Sequence, residues 1–134
     1  MACDLIRHMH DAELIGIDSS FAPSKLILRF RQVNGTACIF ILGNCSMFRV
    51  VDYGRQNVVS QLFICTGIDC DDEMISHQLK WLTSLSDSAS SLSEAKLEEV
   101  RSEIKQSKHS LMVLIPSCGA EFAAVYEGLD MQQV

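Results

Sequence analysis

The sequence has no run of apolar residues approaching 18 in its 134 positions, so no segment reads as a membrane-spanning helix. It also lacks an excess of positive charge. Eleven Lys and Arg stand against 17 Asp and Glu, giving a net charge of −6, which argues against a dominant phosphate-binding surface and against nucleic acid as the partner. The six cysteines (Cys3, Cys38, Cys45, Cys65, Cys70 and Cys118) include no Cys-x-x-Cys pair, so the ligand spacing of structural zinc sites is missing. There is no Gly-x-Gly-x-x-Gly, no P-loop and no Gly-x-Ser-x-Gly elbow, which removes the common nucleotide sites and the common hydrolase nucleophile. Asp4, Arg7, His8, His10 and Asp11 crowd the first 13 residues, where a secretory leader needs an apolar stretch. Together these absences predict a cytoplasmic protein with six reduced thiols, no cofactor and no metal.

What is present is a globular composition, 48% apolar and 21% charged, in a chain long enough to bury one core. We expect a single domain spanning 1–134. Its first half alternates. Glu13 to Asp18 reads as a strand; Leu26, Leu28 and Phe30 face one side of the next, with Lys25, Arg29 and Arg31 on the other. That period of two marks a half-buried antiparallel strand. Asn34-Gly35 predicts a type I′ hairpin tip, with Thr36 to Leu42 returning. Ser46 to Asp52 and Val58 to Thr66 complete a β-meander. The second half changes period. Asp71 to Leu85 reads as a helix with Ile75, Leu79 and Leu82 inward, and Asp71, Asp72 and Glu73 complement its N-terminal dipole. Ser84 to Ser93 holds six serines and reads as a loop. A capping box at Ser91-x-x-Glu94 starts a second helix, to about Ser107, with Leu97, Val100 and Ile104 inward. Leu111 to Ile115 and Phe122 to Tyr126 add strands. The predicted class is α+β: a mostly antiparallel meander sheet of about six to seven strands with two helices packed against it.

No catalytic constellation assembles from these elements. His10-Asp11 reads as a turn into the first strand, with His10 hydrogen-bonded nearby. Cys70 precedes a helix, yet Asp69, Asp71 and Asp72 surround it and oppose a thiolate. Pro116 to Glu121 reads as a tight connection in which Gly119 supplies a special backbone angle. Charge is the one strong asymmetry. Residues 1–70 are neutral, whereas residues 71–134 carry five Lys and Arg against eleven Asp and Glu, the whole net charge. An acidic surface steers a basic partner, so Asp71, Asp72, Glu73, Glu94, Glu98 and Glu99 are the first candidate contacts. Charge reversal at Asp71 and Asp72 is expected to slow association and leave the melting temperature nearly unchanged. The face carrying Lys25, Arg29 and Arg31 is the alternative.

Three short segments occur in a suggestive order: His10-Asp11-Ala12-Glu13-Leu14, then Gln56-Asn57-Val58-Val59-Ser60-Gln61-Leu62, then Ser117-Cys118-Gly119-Ala120-Glu121, with Phe30-Arg31 closing a strand between the first two. This layout resembles that of small uncharacterised bacterial proteins, some grouped with the immunity proteins of polymorphic toxin systems. The resemblance implies a bacterial cytoplasmic origin and a non-catalytic role in binding another, unidentified protein, and it carries over no catalytic residue. A small acidic secretion-type chaperone matches in size and charge, although such chaperones usually open on a substantial helix. An enzyme of unknown reaction is the third class. The sequence leaves homodimerisation open.

Overall fold

The computed structural model describes residues 3–84 and 91–134. Alternation in the first half becomes three strands paired in sequence order: β2 (Glu13–Phe21), β3 (Ser24–Arg31) and β4 (Ala37–Gly43), preceded by the short β1 (Cys3–Leu5). Leu26, Leu28 and Phe30 are fully buried, while Arg29 and Arg31 point outward. The tip between β3 and β4 forms at Asn34-Gly35, but not as a type I′ turn. Only Gly35 has positive φ, at 87°. Gly35 N–H closes a turn onto Gln32 O at 2.9 Å, and the Asn34 side chain accepts Thr36 N–H at 2.9 Å. The result is the longer hairpin in which a left-handed glycine follows the turn.

The expected meander stops there. β5 (Met47–Val51) does not fold back on β4; it pairs with β8 (Glu121–Tyr126). β6 (Val58–Cys65) returns to the other side of β2 and pairs with β7 (Ser110–Cys118). Two strands were not anticipated, β1 beside β6 and the final β9 (Gly128–Gln133) beside β4. The hydrogen-bonded order is β5-β8-β7-β6-β2-β3-β4-β9, antiparallel throughout.

That order closes on itself, because β5 continues β4 and β9 continues β8. Asn44 takes the left-handed region (φ 49°), which turns the chain through the corner. Glu127 N–H reaches Gly43 O and Ser46 N–H reaches Val125 O, both at 3.0 Å. Two long bent strands therefore stay paired around one corner, in the manner of orthogonally packed sheets. One layer is β2-β3-β4-β9 and the other β5-β8-β7-β6. Between them lies the larger core, with Leu28, Phe30, Phe40, Leu62, Leu114 and Phe122 at its centre.

The second corner joins β2 to β6, and there the ladder is short: Glu13 and Val58 are the one registered pair. Loop contacts extend it. Asp11 N–H donates to Val59 O, Val59 N–H to Ala12 O and Leu14 N–H to Asn57 O, each at 2.8 Å.

The helices are α1 (Asp72–Leu82) and α2 (Glu94–Lys105). Asp71 caps α1 by accepting Met74 N–H at 3.1 Å. Ser93, not Ser91, caps α2, accepting Lys96 N–H at 3.1 Å. The anticipated end of α1 at Leu85, and most of the serine loop, lie outside the described residues. Ile75, Leu79, Leu97, Val100 and Ile104 pack on the outer side of β6, β7 and β8 through Leu111, Val113, Ala123 and Val125. Helices thus cover the outer side of one layer. The class is α+β, as the change of period predicts.

The thiol expectation needs correction. Cys65, buried on β6, is disulfide-bonded, and its register partner across the β1 ladder is Cys3. Cys38, Cys45, Cys70 and Cys118 carry thiols. Apolar surroundings in the sequence do not reveal which cysteines strand pairing brings together.

Candidate interaction face

The outer side of β2-β3-β4-β9 is built by the same alternation that fills the core. Odd residues of β3 and β4 point away from Leu26, Leu28 and Phe30, so ladder register lays them out in rows. One row is Asp18, Ile27, Ile41 and Asp130; the next is Gly16, Arg29, Ile39 and Gln132. Ile27, Ile39 and Ile41 are half-buried with no element packed over them among the described residues. Ile15, set aside from the rows by the bulge between Leu14 and Gly16, is 45% exposed.

The three basic residues lie along this face in unequal states. Arg31 reaches Glu13 at 3.7 Å across the β2/β3 ladder. Lys25 and Arg29 have no ion pair among the described residues. Arg29 is positioned by a missing side chain: its stem lies over Gly16, where a Cβ would come 3.3 Å from Arg29 Cδ. This face offers isoleucine surface on which, among the described residues, Lys25 and Arg29 make no ion pair, with the carboxylates Asp18 and Asp130 in the same outward row.

The acidic candidates do not form one patch, and most have work within the molecule. Asp72 accepts from Lys105 Nζ at 2.7 Å, joining the start of α1 to the end of α2. That ammonium holds the Asp72 carboxyl below its ordinary range. Glu98 pairs with Arg101, whose guanidinium also donates to Ser76 Oγ at 2.9 Å across the helix pair. Glu99 pairs with Lys96 at 3.4 Å, and Asp71 is the α1 cap. Reversing Asp71 and Asp72 therefore removes a cap and an interhelical ion pair, so a lower melting temperature is expected rather than an unchanged one. Glu73 and Glu94 remain exposed, with no ion pair among the described residues.

The chemical candidates are placed apart. Cys70 is buried, and burial, with Asp69 adding to it against Lys105, pushes its thiol pKa up. Exposed His77 stands on α1. His10 Nδ1 lies 3.2 Å from Asp11 Oδ2, and Asp11 takes φ 65°, the turn expected there. Among the described residues no group of three or more His, Cys, Asp or Glu is arranged to hold a metal ion. Among the described residues no helix is long and apolar enough to cross a membrane.

Three features escaped the sequence reading. Asn57 is the buried polar side chain at the β2/β6 corner, with four hydrogen bonds. His109 lies between Glu103 (3.1 Å) at the end of α2 and Glu127 (3.5 Å) at the closing corner, its buried Nδ1 without a hydrogen bond among the described residues. A cavity of about 430 Å³ opens between the β2/β3 tip and β5, lined by Ser19, Phe21, Lys25, Cys45 and Phe48. Burial pushes the Cys45 thiol up to about 11, against a backbone hydrogen bond with Met47, which lowers it. None of the three carries a spacing signature, because each is assembled from segments distant in the chain.

The segments that carry the resemblance meet at one place. Asp11 and Ala12 bond to Val59, Leu14 bonds to Asn57, and Asn57 bonds to Ala120. All three motifs build the β2/β6 corner. No family model, no curated protein and no solved structure matches the chain.

Proposed function

We propose that the protein acts by binding another protein without catalysis, as an inhibitor of the toxin-immunity kind, through the outer face of β2-β3-β4-β9. The observation that carries the reading is the isoleucine surface of Ile15, Ile27, Ile39 and Ile41, uncovered among the described residues and set with Lys25 and Arg29. A fully folded layer with one apolar side in water is what a partner surface looks like. The partner complement is an apolar centre with carboxylates placed for Lys25 and Arg29 and donors placed for Asp18 and Asp130, since buried charge is tolerated at an interface only when matched. The acidic helices are the weaker contact candidate, because Asp72, Glu98 and Glu99 are neutralised internally.

The test compares variants in affinity purification from the source organism. A protein retained by the wild type should be lost with Arg29→Glu and with Ile39→Asp, and kept with Glu73→Lys and Glu94→Lys. Loss in the helix variants with retention in the face variants would reverse the assignment. Binding should also weaken with added salt, as pairing between exposed charges is screened over about 10 Å at 0.1 M.

A further inference from the structure

A second surface, the edge of β9, follows from ladder geometry alone. Val134 N–H donates to Ala37 O at 3.0 Å, so the residues of β9 in phase with it, Gly128, Asp130 and Gln132, direct their backbone groups to β4. Leu129, Met131 and Gln133 then direct theirs to the opposite side, where no strand pairs among the described residues. The edge is open to solvent: Met131 is 51% exposed, and of the remaining β9 residues only Leu129 is half-buried. Natural edges of this kind are usually blunted by lysine, proline, a bulge or shortness. β9 reads Gly-Leu-Asp-Met-Gln-Gln, with six consecutive register pairs to β4, no lysine or proline, and Asp130 as its single charge.

We propose that this edge pairs with a second copy of itself: two β9 strands run antiparallel about a twofold axis through Met131, joining two four-strand layers into one continuous sheet. Isologous pairing keeps like faces together, so residues opposite one another must share a side. Centring on Met131 uses all three outward-directed residues, with Met131 against its own copy and Leu129 against Gln133. Any other centre leaves one of them unpaired. Charge selects the same register. Around Met131, Asp130 stands opposite Gln132 of the second copy, which can donate to it as Gln132 already does within the chain at 2.7 Å. A register centred on Asp130 instead opposes two carboxylates, which destabilises a cross-strand pair. The pairing is independent of the face proposed for the protein partner and leaves that face open on both copies.

Sedimentation equilibrium on the full chain across about 1 to 200 μM tests this, since a dimer must grow in with concentration. The wild type should approach twice the monomer mass. Gln132→Glu sets a carboxylate opposite Asp130 on each side of the axis and should weaken dimerisation by about tenfold. Met131→Pro removes an N–H that β4 does not use, so it should abolish the dimer and leave the far-ultraviolet circular dichroism unchanged. In a Cys118→Ser background, Met131→Cys should give a disulfide-linked dimer on mild oxidation and Asp130→Cys should not. A wild type that stays monomeric throughout, or a dimer equally strong with Gln132→Glu and a folded Met131→Pro, overturns the proposal.

Discussion

Asn57 and Gly119 occupy one another's space: a Cβ on Gly119 would lie 2.6 Å from Asn57 Oδ1 and 2.3 Å from the Gln56 carbonyl. The contact lets Asn57 Oδ1 accept Ala120 N–H at 3.1 Å and Gly54 N–H at 2.9 Å, while its Nδ2 donates to Leu14 O and Gly54 O. All four of its hydrogen-bonding positions are used, which is how a buried amide avoids its desolvation cost. One side chain thereby ties β2, the loop before β6 and the β7/β8 turn where the sheet ladder is shortest.

Gly119→Ala should cost about 3–5 kcal/mol, because the methyl group meets backbone atoms and the residue sits at φ 81°. Asn57→Ala, which leaves buried N–H and carbonyl groups unmatched, should cost about 2–4 kcal/mol. Urea unfolding of both variants measures these values. A cost below about 1 kcal/mol for either would mean the corner is held by other contacts.

Phe30 is fully buried with its ring centroid 5.1 Å from that of Phe40. Phe30→Ala should cost about 3–5 kcal/mol through the cavity left between the layers. Arg29→Ala, one position along and on the outer face, should stay within about 1 kcal/mol. The contrast tests the register directly.

Thiol titration of the unfolded, non-reduced protein should find four groups, Cys38, Cys45, Cys70 and Cys118, and six after reduction. In the folded protein at pH 8, exposed Cys118 should be alkylated well before Cys45. With the Cys45 thiol pushed up to about 11, roughly one molecule in a thousand holds its thiolate at that pH. Six groups without reductant would remove the Cys65 disulfide.

The Asp72–Lys105 pair should show in acid. The Asp72 carboxyl lies below its ordinary value near 3.8, so its stabilisation is present above that value and lost as pH falls through the folded one. Melting temperatures of the wild type and Asp72→Asn should therefore differ at neutral pH and converge once the pH has fallen below the ordinary carboxylate range. The neutral-pH difference should shrink in high salt, since the site is exposed. A difference that persists in acid would show that the effect does not come from the charge of the Asp72 carboxylate.

Local periodicity made much of the fold legible. The inward set Leu26, Leu28 and Phe30 and the inward helix stripes are as the alternation and the 3.6-residue repeat require, because side-chain direction is a local property of the backbone. The turn at Asp11 and the left-handed Gly119 were readable for the same reason. Two terminal strands were not, as β1 is only three residues and Gly-Leu-Asp-Met-Gln-Gln alternates weakly. The candidate face was half legible. Lys25, Arg29 and Arg31 were visible as a stripe, but their distinction from the acidic set was not, because pairing of Asp72 with Lys105 spans 33 positions.

The sequence alone thus determined which residues face inward along β3 and the two helices, since that depends on near neighbours in the chain, whereas the bulge in β2 turned Ile15 out of the face it was expected to share with Ile17. Tertiary structure alone decided which elements meet. β5 crosses to β8 because Asn44 turns a corner that the Gly43/Gly128 pairing continues, and no period in residues 37–51 encodes that. Other long-range pairings gather Asp11, Asn57 and Ala120 at one corner, set Cys65 on the β1/β6 ladder and leave the outer side of β2-β3-β4-β9 without cover among the described residues. Such long-range pairings are selected by the free energy of the whole packed molecule, to which each local segment contributes only part.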